Sequence, residues 1–222
     1  MINRLKGGIF LYITFFLYFY FIKKVIYTVI TNGYDELLQA PNFTGWDKIV
    51  FTDSINYDRG WEVRRLPKGN SLIQSRDIKI RSHIHLKDYD VVCYIDGNQK
   101  FVKEPCLCPI RFSHPRRKDI WQEAKQIIKL NKAPEIKINQ QIRFYENTGY
   151  KCQGLLLNGF FVREHSEKSN KLHDVWFEEF VRFPYRDQLS LPYAIWKTGI
   201  RPPQIKGSDV KEQFAHITKI HA

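Results

Sequence analysis

Cysteine is scarce in this chain: Cys93, Cys106, Cys108 and Cys152 are the only four among 222 residues. No two stand at Cys-x-x-Cys spacing, and Cys106-x-Cys108 has no matching His/Cys pair, which argues against a disulfide scaffold and a structural zinc. There is no GxGxxG and no GxxxxGK[ST], so neither a dinucleotide cradle nor a P-loop is signalled. HExxH spacing is missing at His83/His85 and His216/His221, and a GxSxG nucleophile elbow is missing altogether. Internal repeats and low-complexity linkers are also lacking. Acidic residues are few, 23 against 35 Lys+Arg, and none precedes Asp35. The resulting net charge of +12 excludes an acidic solvating protein. It points to an anionic partner: nucleic acid, a phospholipid surface or a phosphate-bearing small molecule.

What the chain does have is a globular composition, 43% hydrophobic and 15% aromatic, in a length that suits one large domain or two small ones. Residues 7–22, GGIFLYITFFLYFYFI, carry no charge and lie between Arg4/Lys6 and Lys23/Lys24. As a helix they would span roughly 24 Å, short of the ~30 Å hydrocarbon core, and their Phe and Tyr suit an interface. No small-residue cleavage site follows. A spanning helix, an interfacial anchor and a soluble extension all remain open. The expectation is a membrane-associated chain, otherwise cytoplasmic, with 1–22 as anchor segment, 23–205 as the domain and 206–222 as a tail.

Strand-like runs occur at 24–30, 46–53, 61–66 and 89–96, the last an apolar run closing on Asp96-Gly97-Asn98. A basic helical stretch covers 72–86. Helices are expected at about 119–131, 135–148, from Leu172 to Phe183 and from Asp187 to Lys197, with a strand over 155–162 broken at Gly159. Strands followed by crossover helices predict an α/β domain with a mostly parallel sheet.

Several residues could carry chemistry. Asp96 and Asn98 follow an apolar strand, at the sheet edge where open α/β folds bind ligands; their oxygens suit Mg²⁺ or Mn²⁺, or merely close a turn. Arg76, Lys79 and Arg81 share one helical stretch, and His114-Pro115-Arg116-Arg117-Lys118 is a compact basic cluster. Either could grip a diphosphate, or be a solvated charge run. Asn158-Gly159 interrupts an apolar strand, as where a ligand or another backbone approaches closely. Arg186-Asp187-Gln188 opens the last helix, where the carboxylate could also serve as a cap. Trp121, Trp176 and Trp196 sit at core spacing.

Taken in order, Tyr27-Thr28, Gly33-Tyr34-Asp35, Phe51-Thr52-Asp53, Ser75-Arg76 with Lys79, Tyr94-Ile95-Asp96-Gly97-Asn98, His114-Pro115, Trp121 to Ala124, Gln140-Gln141 with Tyr145, Asn158-Gly159, Arg163 with His165, Trp176 to Glu179 and Arg186 to Ser190 resemble one family. It is the glycosyltransferase-like domain family of plant mucilage- and turgor-related proteins and of bacterial surface-polysaccharide loci. The resemblance covers roughly residues 24 to 200. It implies a GT-A-like single domain, in which a nucleotide-binding sheet flanked by helices holds a nucleotide-sugar diphosphate through a DxD-type motif and a divalent metal.

On that resemblance Asp96 and Asn98 take the DxD-like place as donor and metal ligands, with Asn98 departing from the second Asp. Arg76 and Lys79 face the donor phosphates, Asn158 and Gly159 line the sugar or acceptor side, and Gln188 pairs with Asp187 beside the donor sugar. Asp187 orients the sugar or acts as base, and Glu164 is the second catalytic candidate. The implied reaction moves a hexose-type sugar from a nucleotide-sugar to a glycan or lipid-linked acceptor, near a membrane surface. Two rivals belong to other classes. A catalytically degenerate membrane-associated scaffold is motivated by Asn98. A nucleic-acid-binding protein is motivated by +12, although the charge is scattered and no nucleic-acid motif accompanies it.

Overall fold

A computed structural model describes residues 22–69, 71–212 and 214–216. The apolar stretch 7–22 therefore lies outside the described residues except for Ile22. Among the described residues no helix is long and apolar enough to cross a membrane.

In chain order the elements are β1 (Lys24–Ile30), β2 (Asp47–Thr52), β3 (Glu62–Arg65), α1 (Ser71–Ile80), the single turn α2 (Ser82–His85), β4 (Val91–Ile95), β5 (Gln99–Phe101), β6 (Ile110–Ser113), α3 (Ile120–Lys129), α4 (Glu135–Asn147), β7 (Leu156–Glu164), α5 (Glu167–Arg182), α6 (Asp187–Thr198), β8 (Gln204–Ile205), a 3-10 turn (Gly207–Glu212) and β9 (Phe214–His216). The main sheet has seven strands in the order β3-β2-β1-β4-β7-β6-β8. Pairs β1/β2, β1/β4, β2/β3 and β6/β8 are parallel, whereas β7 runs antiparallel to both β4 and β6. One strand thus opposes six. This is the mostly parallel α/β sheet of a GT-A-like single domain.

The strands near the centre are buried on both faces, which explains their unbroken apolar runs. Val25 and Tyr27 of β1 pack toward Ile78 and Ile80 of α1, Trp176 and Phe180 of α5, and Leu191 and Ile195 of α6. The intervening Ile26 and Ile30 face a second cluster built with Leu37, Trp46, Ile55 and Trp61 from loops and Phe214 from β9. Helices therefore cover one face, and loops with the β5/β9 ribbon cover the other. A third cluster joins α3, α4 and α6 through Ile120, Ile138, Tyr145 and Tyr193. Trp176 is fully buried, while Trp121 and Trp196 are partly buried against that third cluster.

Local signals set the helix starts. Asp119 accepts the Gln122 amide at 2.8 Å to cap α3, and Ser166 accepts the Ser169 amide at 3.3 Å to cap α5. The strand expected to break at Gly159 instead runs through it from Leu156 to Glu164, because β4 and the Asp96 amide continue the ladder past that point. The basic stretch 72–86 divides into α1 and α2.

The segment after 205, expected as a tail, packs on the domain as far as it is described. Phe214 is 2% exposed and stacks on Phe160 with ring centroids 5.0 Å apart. The Gly207 amide donates to Ser113 Oγ at 2.9 Å, and a Cβ added at Gly207 would lie 2.2 Å from the Ser113 carbonyl oxygen and 2.9 Å from Pro115 N. Both are backbone atoms, so neither can swing aside. Gly207→Ala is therefore expected to destabilise the protein by about 1–3 kcal/mol. Thermal unfolding would show a melting temperature lower by several degrees; an unchanged value would mean that this segment is not held against β6.

Candidate functional site

The carboxyl ends of β1, β2 and β4 meet the start of the antiparallel β7 at one sheet edge. There the loops after β1 and β2 are tied together: the Asn32 amide donates to Asp53 Oδ1 at 2.8 Å and the Gly33 amide to Ser54 Oγ at 2.9 Å. Behind β4 the chain turns at once, with the Gln99 amide donating to the Asp96 carbonyl at 3.0 Å. Antiparallel pairing brings Gly159 alongside, its carbonyl accepting the Asp96 amide at 2.8 Å.

Five side chains converge here. Lys79 of α1, only 4% exposed, holds its Nζ 3.0 Å from Asp187 Oδ2 and 3.4 Å from Asp96 Oδ1, linking the two carboxylates. Arg76, one helical turn earlier, places Nε 3.7 Å from the same Asp187 oxygen. Lys79 also lies over the Tyr94 ring, 4.8 Å from its centroid. Tyr94, two residues before Asp96 on one strand face, donates its hydroxyl to Asp96 Oδ1 at 2.7 Å. Asp187 is the first residue of α6, where the helix dipole favours a negative charge. Its carbonyl accepts from Asn158 Nδ2 at 3.3 Å and from Trp176 Nε1 at 3.0 Å.

The electrostatics follow from burial and pairing. Burial by itself would raise the Asp187 carboxyl, but Lys79, Arg76 and Arg186 together hold it well below the usual carboxylate range. Burial opposes the Arg76 charge, yet Asp187, Tyr94 and Asp96 outweigh it and raise that pKa. Burial, then Asp96, pushes the Tyr94 phenol well above normal, so it remains a donor. Asp187 is consequently a firm anion and a poor proton acceptor.

Of the sequence candidates, Arg76, Lys79, Asp96, Asn158, Gly159 and Asp187 gather at this edge. Gln188 adjoins them, but its amide is engaged by the Leu156 carbonyl. Asn98 stands half-buried in the turn, and no hydrogen bond ties it to the Lys79 group. Glu164 is not brought to this edge. It is exposed at the far end of β7, opposite Val91, roughly 17 Å along the strand from Gly159. Arg81 also turns away, pairing with Asp77 at 2.5 Å and stacking on Phe177. In the 114–118 cluster Arg117 is taken by Glu123 and His114, leaving Arg116 and Lys118 exposed.

As a cation site the edge offers Asp96, with Oδ1 already accepting from Tyr94 and facing Lys79, and the neutral amide oxygen of Asn98. Among the described residues no three His, Cys, Asp or Glu gather as a metal cage. Such a set fits Mg²⁺ or Mn²⁺ only where substrate phosphates and water complete the shell, the usual manner of Mg²⁺.

Sequence reasoning missed the residues that hold Lys79. The Tyr27 hydroxyl donates to the Lys79 carbonyl at 2.7 Å, and Arg163 Nη1 donates to the Ile80 carbonyl at 3.3 Å. Together they satisfy the end of α1, where carbonyls lack helical partners. Arg163 is itself held by Asn170 Oδ1 at 2.6 Å and His83 Nδ1 at 3.1 Å. Nothing local marks these pairs, which join positions 52 and 83 residues apart.

The sheet order and this edge define a GT-A-like domain. One stretch of the chain, residues 110–212, matches the family model described as TOD1/MUCI70, glycosyltransferase-like domain. It runs from β6 to the 3-10 turn and so contains Asn158, Gly159, Asp187 and Gln188. No curated protein matches the chain.

Two outcomes follow from the geometry. A Cβ at Gly159 would lie 2.6 Å from Gln99 Nε2 and 2.7 Å from Asp96 Oδ2. Both are side-chain ends that can move, so Gly159→Ala should cost only about 1 kcal/mol of stability while shifting Asp96; heteronuclear NMR would show the change centred on residues 94–99. Asp187, lowered in the folded state, contributes stability that is fully present above its unfolded pKa of about 3.9 and lost as pH falls through its lower folded value. In urea unfolding the stability gap between wild type and Asp187→Asn should be constant from pH 5 to 8 and close below about pH 4.

Proposed function

We propose that the protein is a glycosyltransferase that moves a hexose-type sugar from a nucleotide-sugar to a hydroxyl of a glycan or lipid-linked acceptor. The observation that carries this reading is the buried Lys79 ammonium between Asp96 and Asp187, with Arg76 beside it, at the carboxyl edge of a GT-A-like sheet. In the transfer the sugar C1–oxygen bond to the diphosphate breaks, and its electron pair leaves with the nucleoside diphosphate. The acceptor oxygen forms the new bond to C1, and its proton passes to the departing diphosphate. Negative charge builds on the departing diphosphate, where Lys79 and Arg76 are already oriented and need no rearrangement to meet it.

Asp187, a weak base in this setting, orients the two cations and the sugar hydroxyls. Asn158 and Gly159 keep the floor of the site shallow, and Asp96 faces the ribose and phosphates. Tyr34, 72% exposed in the loop after β1, offers a ring on which a nucleobase can stack. A divalent cation, held by Asp96 and Asn98 together with substrate phosphates, would supply further charge neutralisation when bound. The basic, apolar N-terminal sequence supports work at an anionic membrane surface.

Titration of the full chain with UDP-, GDP- and ADP-sugars and the matching diphosphates, with Mn²⁺ or with EDTA, tests the proposal. One nucleotide should saturate and raise stability by about 2.7 kcal/mol at a hundredfold excess over Kd. Lys79→Met should weaken it at least tenfold. If no nucleotide stabilises the folded protein, the chain is a catalytically degenerate member of the fold.

A further inference from the structure

A second group of cations stands on the other side of Asp187. β6 ends at Ser113, and Arg116 and Lys118 follow on the same edge, both exposed. β8 runs parallel to β6 and ends at Ile205, which puts the exposed Lys206 next to them, fixed there by the Gly207–Ser113 bond. The His114 amide donates to the Leu155 carbonyl at 2.7 Å, while Gln188 engages Leu156, so the start of β7 links this group to the start of α6. There Arg186, whose Nε is closed off from solvent, has no hydrogen-bonding acceptor for it.

Most of the neighbouring carboxylates are engaged elsewhere. Asp119 caps α3, Glu123 pairs with Arg117, and Asp187 is paired with Lys79 and Arg76, so that Arg186 has only a share of its charge. Asp209 of the 3-10 turn is the remaining carboxylate close by. All 23 Asp and Glu of the chain lie between Asp35 and Glu212, so no acidic side chain outside the described residues can neutralise the group. Lys79 and Asp96 belong to the β4 side of the edge and Lys206 to the β8 side, three strand spacings or roughly 14 Å away. One diphosphate cannot occupy both positions, and a sugar fits between them.

We infer that Arg116, Lys118, Arg186 and Lys206 form an acceptor subsite for a phosphate-type anion, so that the molecule receiving the sugar carries a phosphate or diphosphate near its reacting hydroxyl. This rests on the glycosyltransferase reading. Two sources share that chemistry, a lipid-linked diphosphate and a phosphorylated glycan.

The full chain, saturated with the nucleoside diphosphate it binds, is titrated calorimetrically with citronellyl diphosphate and, separately, with a hexose 6-phosphate. One of them should saturate, with an affinity that falls steeply as salt rises. The double variant Arg116→Gln/Lys118→Gln should weaken it at least tenfold and leave nucleotide affinity unchanged. Saturation by the lipid analogue alone names a lipid-linked acceptor; saturation by the hexose phosphate names a phosphoglycan. Binding of neither, equal binding by the double variant, or tighter binding of an oligonucleotide would overturn the inference. Failure of every nucleotide to bind, with phosphate still held at the rim, would overturn the glycosyltransferase reading and the acceptor role with it, while Mn²⁺-dependent nucleotide binding without any phosphate effect would overturn the acceptor subsite alone.

Discussion

The Lys79 ammonium, buried between Asp96 and Asp187, is the interaction on which the rest of this edge depends. Two carboxylates meet this enclosed amine, and removing one partner of such a buried pair is strongly destabilising. Each carboxylate arrives from a different element: Asp96 from the end of β4 and Asp187 from the first turn of α6. Their convergence demands that α1, β4 and α6 keep a fixed spacing. Tyr27 and Arg163 enforce it from below by taking the last carbonyls of α1, and Trp176 and Asn158 enforce it from the side by binding the Asp187 carbonyl.

The antiparallel strand makes that convergence possible. Had β7 run with its neighbours, its start would lie at the amino edge, and Asn158 and Gly159 would face away from Asp96. Because it opposes them, the small residue at 159 comes alongside the β4 turn, where any side chain would collide with Asp96 and Gln99. The same reversal sends Glu164 to the far edge. Covering one face with helices and the other with loops leaves the carboxyl edge open to the long segments 31–46 and 53–61, which frame the site.

The basic surplus divides into parts with different physical standing. Lys79, Arg76, Arg111 and Arg163 are drawn inside, where carboxylates, rings or carbonyls meet them. Arg111, for example, has no carboxylate and lies between Phe161 and Trp176, with His173 accepting from its guanidinium at 2.8 Å. Burial lowers its pKa to about 9. The exposed part is spread over loops and helices, with Arg116, Lys118 and Lys206 among it at the β6/β8 end of the edge.

Much was determined by the sequence alone, because its causes are local. The apolar run Val91–Ile95 closing on Asp96 and the helical periodicity after Ile120 marked the α/β alternation. The Arg186-Asp187-Gln188 piece lies within the stretch that matches the family model, and with Asp96-Gly97-Asn98 it supplied several of the residues that meet at the edge. Short strands such as β5, β8 and β9 were not legible, since two or three residues carry no period of their own and owe their form to partners far along the chain. Nor was strand direction: Leu156–Glu164 has the same composition whichever way it runs. Only the tertiary structure decided that Lys79 links Asp96 and Asp187, that Arg163 serves the end of α1 and that Glu164 stands apart. Ion pairs and hydrogen bonds form between surfaces that packing brings together, and packing depends on the whole chain at once.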